Sequence, residues 1–292
     1  MPESILVVGP TGTVGSRLVD RLAASGRRVN ALVRSERKAA TIGHLATPVL
    51  GDLSEPPTLS SAFEGAERVF VLAPPVPGVE VLERNAFEAA VNAGAKRIVF
   101  LSNYGAGDFS HDDLHFAAHA ANERWLASSG VDWTVLRPTR FMTHTPYIWS
   151  SVLQRGLLLE AGGEGAMTVI DPDDIADVAF FALTADGHEG QRYDLTSEDS
   201  FTAGELAAAI SRRIGRDLTI FSGDTEALRA ALVESGAPGE YAPLMAGYFA
   251  TVAAGHWHVT DTVGELLGRK PRSYADWLDA NLPAVLQSVS AS

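Results

Sequence analysis

Residues 5–26, ILVVGPTGTVGSRLVDRLAASG, constrain the fold more than any other stretch of the chain. A continuous apolar run ends at Gly9, further glycines stand at 12 and 15, and apolar residues then recur at 14, 18, 19 and 22 before Gly26. The run reads as a strand buried on both faces, and the recurrence reads as an amphipathic helix stopped by glycine. A buried strand joined to a helix by a glycine turn is how a parallel α/β sheet begins.

The same alternation continues downstream. RVNALV (28–33), ERVFVLA (67–73), RIVFLS (97–102) and WTVLRP (133–138) read as buried strands, with TPVLGD (47–52) a shorter one. Helical patterns at 78–94 and 111–130 separate them, each ending at glycine. The expected fold class is α/β, a Rossmann-type doubly wound parallel sheet. Beyond about 155 the rhythm changes: 155–170 reads as two short extended pieces around a glycine turn, and 191–197 as a strand. Residues 171–184, 202–215, 224–236 and 239–254 read as helices. The expected division is a core over 1–155 and a smaller C-terminal substrate lobe over 156–292, with 171–185 returning to the core.

The glycines suit a particular ligand. They let the backbone turn tightly and approach a pyrophosphate, and the helix start presents N–H groups to it. Thr11 and Thr13 could add hydroxyl donors. The spacing is G-x-x-G-x-x-G, so a plain strand-to-helix turn is the competing reading. No Gly-Lys-Ser/Thr follows, which argues against ATP hydrolysis. At the end of the second strand, where an NAD site usually places Asp or Glu, LVRSER carries Arg34, nineteen residues after Gly15. Arg34, with Arg37 or Lys38, could pair with a 2′-phosphate, so NADP(H) is expected in preference to NAD(H). Asp52 could face the adenine or act as a helix cap.

Composition narrows the classes further. The 292 residues are 46% hydrophobic, carry a formal net charge of −13 and contain no cysteine. Thiolate chemistry is excluded, and an acidic surface disfavours nucleic acid as a partner. A basic cluster runs against that trend, with Arg17, Arg21, Arg27, Arg28, Arg34, Arg37 and Lys38 opposed only by Asp20 and Glu36 over 17–38. It suggests a small anionic ligand, although a solvated helix face accounts for Arg17 and Arg21. No apolar stretch is long enough for a membrane span, and the start lacks a signal-peptide pattern, so a cytoplasmic protein with a small-molecule substrate is expected. Oligomeric state is not legible.

VVGPTGTVG, GDLSEPPTLSSAFEGAERVFVL, NAGAKRIVFLSNYGA, ASSGVDWTVLRPTRFM and DIADVAFFAL together resemble the NmrA-like atypical short-chain dehydrogenases over about 4–185. The tail HVTDTVGELLGRKPRSYADWL (258–278) is similar to the ergot-alkaloid reductase branch, of the agroclavine and festuclavine type. The resemblance implies a Rossmann fold, NADP(H) and a C-terminal substrate lobe. By position it implies that Gly9, Thr11, Gly12, Thr13 and Val14, with Gly15, cradle the pyrophosphate, and that Arg34 and Lys38 hold the 2′-phosphate. Ala73 and Pro74 would line the adenosine ribose, Ser102 and Asn103 would approach the nicotinamide ribose, and Pro138 and Thr139 would flank the nicotinamide. The wider superfamily's Tyr-x-x-x-Lys pair falls on His115 and His119, so the usual proton relay is missing.

His111, His115 and His119 share one helical face that Asn122 continues. They read either as space-filling residues or, for His115 and His119, as proton donors or ribose ligands. No metal site is expected, because no HExxH glutamate or cysteine accompanies them. Tyr104 and Ser102, at the end of the fifth strand, are further candidates for polarising a substrate. Phe141, Met142, Tyr147 and Trp149, with Trp257, suggest a bulky apolar pocket, with core packing the competing account of each. The function expected is an NADPH-dependent reductase delivering hydride to a C=N, a quinone or a conjugated C=C. The alternative is an NADP(H)-sensing regulator without turnover.

Overall fold

The structure, a computed structural model, describes residues 3–74, 76–106, 114–143, 146–239 and 242–290. His111 and the side chain of His115 lie outside the described residues. The chain divides into two compact units, the first of Met1–Pro138 and Pro172–Leu195, the second of Thr139–Asp171 and Thr196–Ser292.

The first unit opens with β1 (Ser4–Val8), α1 (Thr13–Ala24), β2 (Arg28–Val33), α2 (Glu36–Ile42), β3 (Thr47–Leu50) and α3 (Leu59–Ala62). It continues with β4 (Arg68–Val71), α4 (Val79–Asn92), β5 (Arg97–Leu101), α5 (Leu114–Ser128) and β6 (Asp132–Pro138). The chain then builds β7 (Arg140–Phe141), α6 (Pro146–Ser150), β8 (Leu157–Leu158) and β9 (Met167–Ile170) of the second unit. It rejoins the first as α7 (Pro172–Thr184) and β10 (Gln191–Leu195). The rest is β11 (Ser200–Phe201), α8 (Ala203–Ile214), β12 (Thr219–Ile220), α9 (Thr225–Glu234), α10 (Ala242–Ala253), α11 (Thr262–Leu267) and α12 (Tyr274–Ser290).

Seven strands of the first unit form one sheet in the order β10-β6-β5-β4-β1-β2-β3. Every pairing in it is parallel. This explains the apolar runs: β5 is buried along its whole length, and Ile5, Leu6, Val7 and Val8 of β1 are covered from both sides. The chain order reverses at β1, with β2 on one side and β4 on the other, which marks the topological switch point. Helix α1 packs on α7 through Arg17 to Asp173 (3.1 Å), Arg21 to Asp173 (2.8 Å) and Arg21 to Asp177. Those two arginines of the basic cluster are therefore occupied within the fold.

In the second unit β11, β9 and β7 form one small sheet, and β12 pairs with β8 in another. The expected break at 155 falls inside this unit. The reason is β7: directly after β6 the chain pairs Arg140 and Phe141 with Val169 and Ile170 of β9 instead of continuing the large sheet. Likewise β8 and β9 lie in different sheets and are not partners across the glycine turn. A core of Met142, Trp149, Val152, Leu158, Leu206 and Phe249, among others, fills the unit. Within it, burial pushes the carboxyl of Glu160 up against the pull of the neighbouring Arg140 guanidinium. No helix among the described residues is long and apolar enough to cross a membrane.

Candidate functional site

The glycine turn sits at the carboxyl end of β1, at the switch point. Gly9 has φ of +78°, a left-handed conformation that suits glycine. A Cβ on Gly9 would lie 2.6 Å from the Leu72 carbonyl oxygen just beyond β4, and one on Gly15 would lie 2.0 Å from the Gly9 carbonyl oxygen. Neither site has room for a side chain. Gly9 brings the turn against β4, and Gly15 lets the first turn of α1 close onto Gly9.

Gly12 caps α1 in extended conformation, with its N–H bonded to the Gly9 carbonyl at 3.1 Å. The N–H of Ser16 is the first to bond back into the helix, to Gly12. The amides of Thr13, Val14 and Gly15 therefore stand at the positive end of the helix without intrahelical acceptors. Thr11, Gly12 and Thr13 are exposed, and no acidic residue occupies the first turn of α1. These are the requirements for holding a pyrophosphate, and the residues present fit a dinucleotide.

Beyond β2, Arg34, Arg37 and Lys38 are exposed around the start of α2. The Ser35 side chain caps that helix by accepting from the Lys38 N–H at 3.4 Å. Asp52, beyond β3, accepts from the Ser54 N–H at 2.9 Å and its hydroxyl at 2.7 Å. These hydrogen bonds, helped by the charge of Arg34, hold the Asp52 carboxyl below its usual range. Ala73 is buried after β4, and Pro74 next to it is exposed.

The β5 end is more polar than the sequence suggests. Ser102 donates its hydroxyl to Glu123 Oε1 of α5 at 2.6 Å. The Asn103 side chain accepts from the Gly105 N–H at 3.1 Å, and Tyr104 is buried in a 3-10 turn. Pro138 and Thr139, at the end of β6, are also buried. Glu123 collects more than Ser102: Arg137 of β6 donates from Nε at 2.9 Å and Nη2 at 2.6 Å, and Arg192 of β10 donates from Nε at 3.1 Å. The Arg192 guanidinium lies over the Trp133 ring, 4.5 Å from its centre. Sequence reading missed Glu123, Arg137 and Arg192. The available signal was an arginine inside the apolar strand WTVLRP, which needs a partner when the strand is buried.

His119 is buried, and its Nδ1 lies 3.1 Å from Glu83 Oε1 of α4. Asn122 donates to Glu83 Oε2 at 2.9 Å, and Arg84 donates to Asn122 Oδ1 at 3.0 Å. The visible part of the histidine face thus turns towards α4. In the second unit Met142 and Trp149 are buried in the core, and Trp149 Nε1 donates to the Thr143 carbonyl at 2.9 Å. Tyr147 packs against that core, and Phe141 is half-buried on β7. Trp257 is buried, tilted against Tyr248 at 4.8 Å, and donates to the Thr251 hydroxyl at 3.0 Å. The packing account suits Met142, Trp149 and Trp257 best.

A family model described as NAD(P)H-binding matches residues 9–186. An NAD(P)H azoreductase from Xenophilus azovorans is 33% identical over 282 residues, covering 96% of this chain and 98% of its own. Agroclavine dehydrogenase of Claviceps fusiformis is more distant, 27% identical over 231 residues, 77% of this chain and 78% of its own. The fold is shared with the NADPH-dependent quinone oxidoreductase of Escherichia coli solved with NADPH, at a TM-score of 0.85 and 24% identity, covering 94% of this chain and 98% of that one. The sheet, the glycine cradle and these likenesses define an NAD(P)H-dependent oxidoreductase on a Rossmann-type fold. The chain belongs to the NAD(P)H-binding family.

Proposed function

We propose that the protein is an NADPH-dependent reductase whose acceptor is an electrophilic C=N, quinone or conjugated C=C in a bulky apolar small molecule. The similarity to an azoreductase adds N=N to that set. One observation carries the cofactor half of the reading: a cradle too tight for any Cβ at Gly9 and Gly15, under three amides without intrahelical acceptors. Gly9 to Gly15 hold the pyrophosphate, Asp52, Ala73 and Pro74 line the adenosine side, and Ser102, Asn103, Pro138 and Thr139 the nicotinamide side. Arg34, Arg37 and Lys38 stand exposed where an NAD site would carry a carboxylate, which supports preference for the 2′-phosphate.

Bound NADPH supplies the hydride. On the family resemblance His115 and His119 stand where Tyr and Lys would be, and His119 Nδ1 lies 3.1 Å from Glu83, which supports a contribution by orientation and exclusion of competing contacts more than by proton transfer. Acceptors that need little proton donation fit this site best, because an iminium already carries charge and a reduced quinone can take its proton from water.

The test is NADPH oxidation against a panel of quinones, azo dyes, imines and enones, beside direct cofactor titration. Oxidation with at least one class is expected. Tight NADPH binding with no oxidation of any acceptor would replace the reductase by the cofactor-sensing alternative. Arg34→Ala should weaken NADPH binding roughly tenfold or more, the scale of a lost charge-assisted hydrogen bond, and leave NADH binding nearly unchanged. Equal weakening of both overturns the 2′-phosphate assignment.

A further inference from the structure

We propose that Glu123 is a positioning residue that fixes Ser102 as a hydrogen-bond acceptor towards the nicotinamide half of the cofactor; this rests on the reading of the site above.

The geometry begins at one carboxylate. Glu123 is 2% exposed and takes hydrogen bonds from three side chains drawn from three strand segments. Its Oε1 accepts from Ser102 Oγ and Arg137 Nε, and its Oε2 from Arg137 Nη2 and Arg192 Nε. Arg137 also approaches Asp194, its register partner on β10, at 3.9 Å. Two guanidinium groups thus face two carboxylates, and the cluster is balanced in charge.

That arrangement decides what Ser102 can do. A hydroxyl has one proton, and here it is given to an acceptor-only carboxylate. What Ser102 Oγ has left is lone pairs. It cannot donate to a substrate carbonyl, so it is not the group that polarises the acceptor; it can accept from a ribose hydroxyl or a carboxamide N–H. Its location fits that use. Ser102 directly follows β5, and its N–H continues the ladder to the Leu136 carbonyl at 2.8 Å. β5 lies two strands from β1 in a parallel sheet, so Ser102 stands about 10 Å along the same edge from the glycine cradle at ~4.8 Å per strand. Ligands of such sheets lie along this edge.

The arginines make the assignment sensitive to one atom. In Glu123→Gln an amide group must replace one oxygen. At the Oε2 position it would face two guanidinium donors; at the Oε1 position it meets Arg137 Nε and a serine that can also accept. The amide therefore turns towards Ser102, donates to its oxygen, and sends the serine proton outward. The variant inverts Ser102 from acceptor to donor while keeping the size of the side chain.

The experiment is a double-mutant cycle on the full chain with Ser102→Ala, Glu123→Gln and the double variant. NADPH and 2′,5′-ADP, a fragment that lacks the nicotinamide riboside, are titrated by calorimetry. Each single variant should raise the NADPH dissociation constant about fivefold or more, the scale of one hydrogen bond. Affinity for 2′,5′-ADP should stay within twofold, and Glu123→Gln should add less than twofold in the Ser102→Ala background. Additive effects, or parallel loss of 2′,5′-ADP binding, assign Glu123 to general packing and overturn the proposal. Should Glu123→Gln not fold, Ser102→Ala decides alone, with Ser102→Thr as the rescue that keeps the hydroxyl; unchanged NADPH affinity in Ser102→Ala overturns the proposal. Wild-type protein that binds neither ligand would instead overturn the cofactor reading beneath it.

Discussion

His119 places its Nδ1 3.1 Å from a carboxylate oxygen of Glu83 that is 1% exposed, with the Phe100 ring 5.9 Å away. Such a residue brings two helices together around a buried carboxylate. Replacing it by alanine removes a buried ring and one of the partners of Glu83. His119→Ala is expected to lower unfolding free energy by about 2–4 kcal/mol, measured by urea denaturation, with NADPH affinity within twofold of wild type. Unchanged stability with lost affinity or turnover would return His119 to the reaction. Glu123 teaches the complementary lesson. In the sequence it is one charged residue on a helix, which reads as a solvated face. Only the convergence of Ser102, Arg137 and Arg192 makes it a hub, and those residues lie between 14 and 69 positions away.

Helix α1 is held from two directions, and each makes a prediction. At its N-terminus Gly15 lies against the Gly9 carbonyl, where a Cβ would approach to 2.0 Å. Gly15→Ala must push the first turn off the cradle, so NADPH affinity should fall by more than tenfold; affinity within twofold of wild type would show that the turn tolerates the shift. Along its length α1 is joined to α7 through Arg17, Arg21, Asp173 and Asp177. Burial pushes the Asp173 carboxyl up, but hydrogen bonds from Arg21 and Arg17 outweigh that and leave it below its usual value. A carboxyl lowered by folding stabilises the fold above the ordinary carboxylate range, and that contribution is lost as pH falls through its own lowered value. Arg21→Met should therefore flatten the decline of Tm below about pH 4, besides lowering Tm at neutral pH. An acid limb identical to wild type would mean that other carboxylates govern it. The α1 reading was legible in sequence because a strand, a glycine turn and a 3.6-residue period sit next to each other. β7, β11 and β12, each two residues long, carry no period to read.

For the molecule as a whole, a ligand that binds only the folded chain raises its stability. NADPH at a hundredfold over its dissociation constant contributes about 2.7 kcal/mol, a rise of roughly 4 °C in Tm for a chain of 292 residues. NADH at the same concentration should give a smaller rise; equal shifts would count against the role of Arg34. The chain by itself determined the parallel sheet, because strands buried on both faces must be written as continuous apolar runs and the helices between them as amphipathic ones. It also determined the tight turn at which we propose a pyrophosphate lies, because glycine suits the left-handed conformation at Gly9 and leaves room for the close approach at Gly15. The tertiary structure decided the division of the chain at 138/139, 171/172 and 195/196, since strand partners across tens of residues settle which sheet a two-residue strand joins. It likewise decided which polar groups face one another at the β5 edge. Periodicity records which side of an element is buried, and the pairing of His119 with Glu83 and of Ser102 with Glu123 depends on which elements meet there.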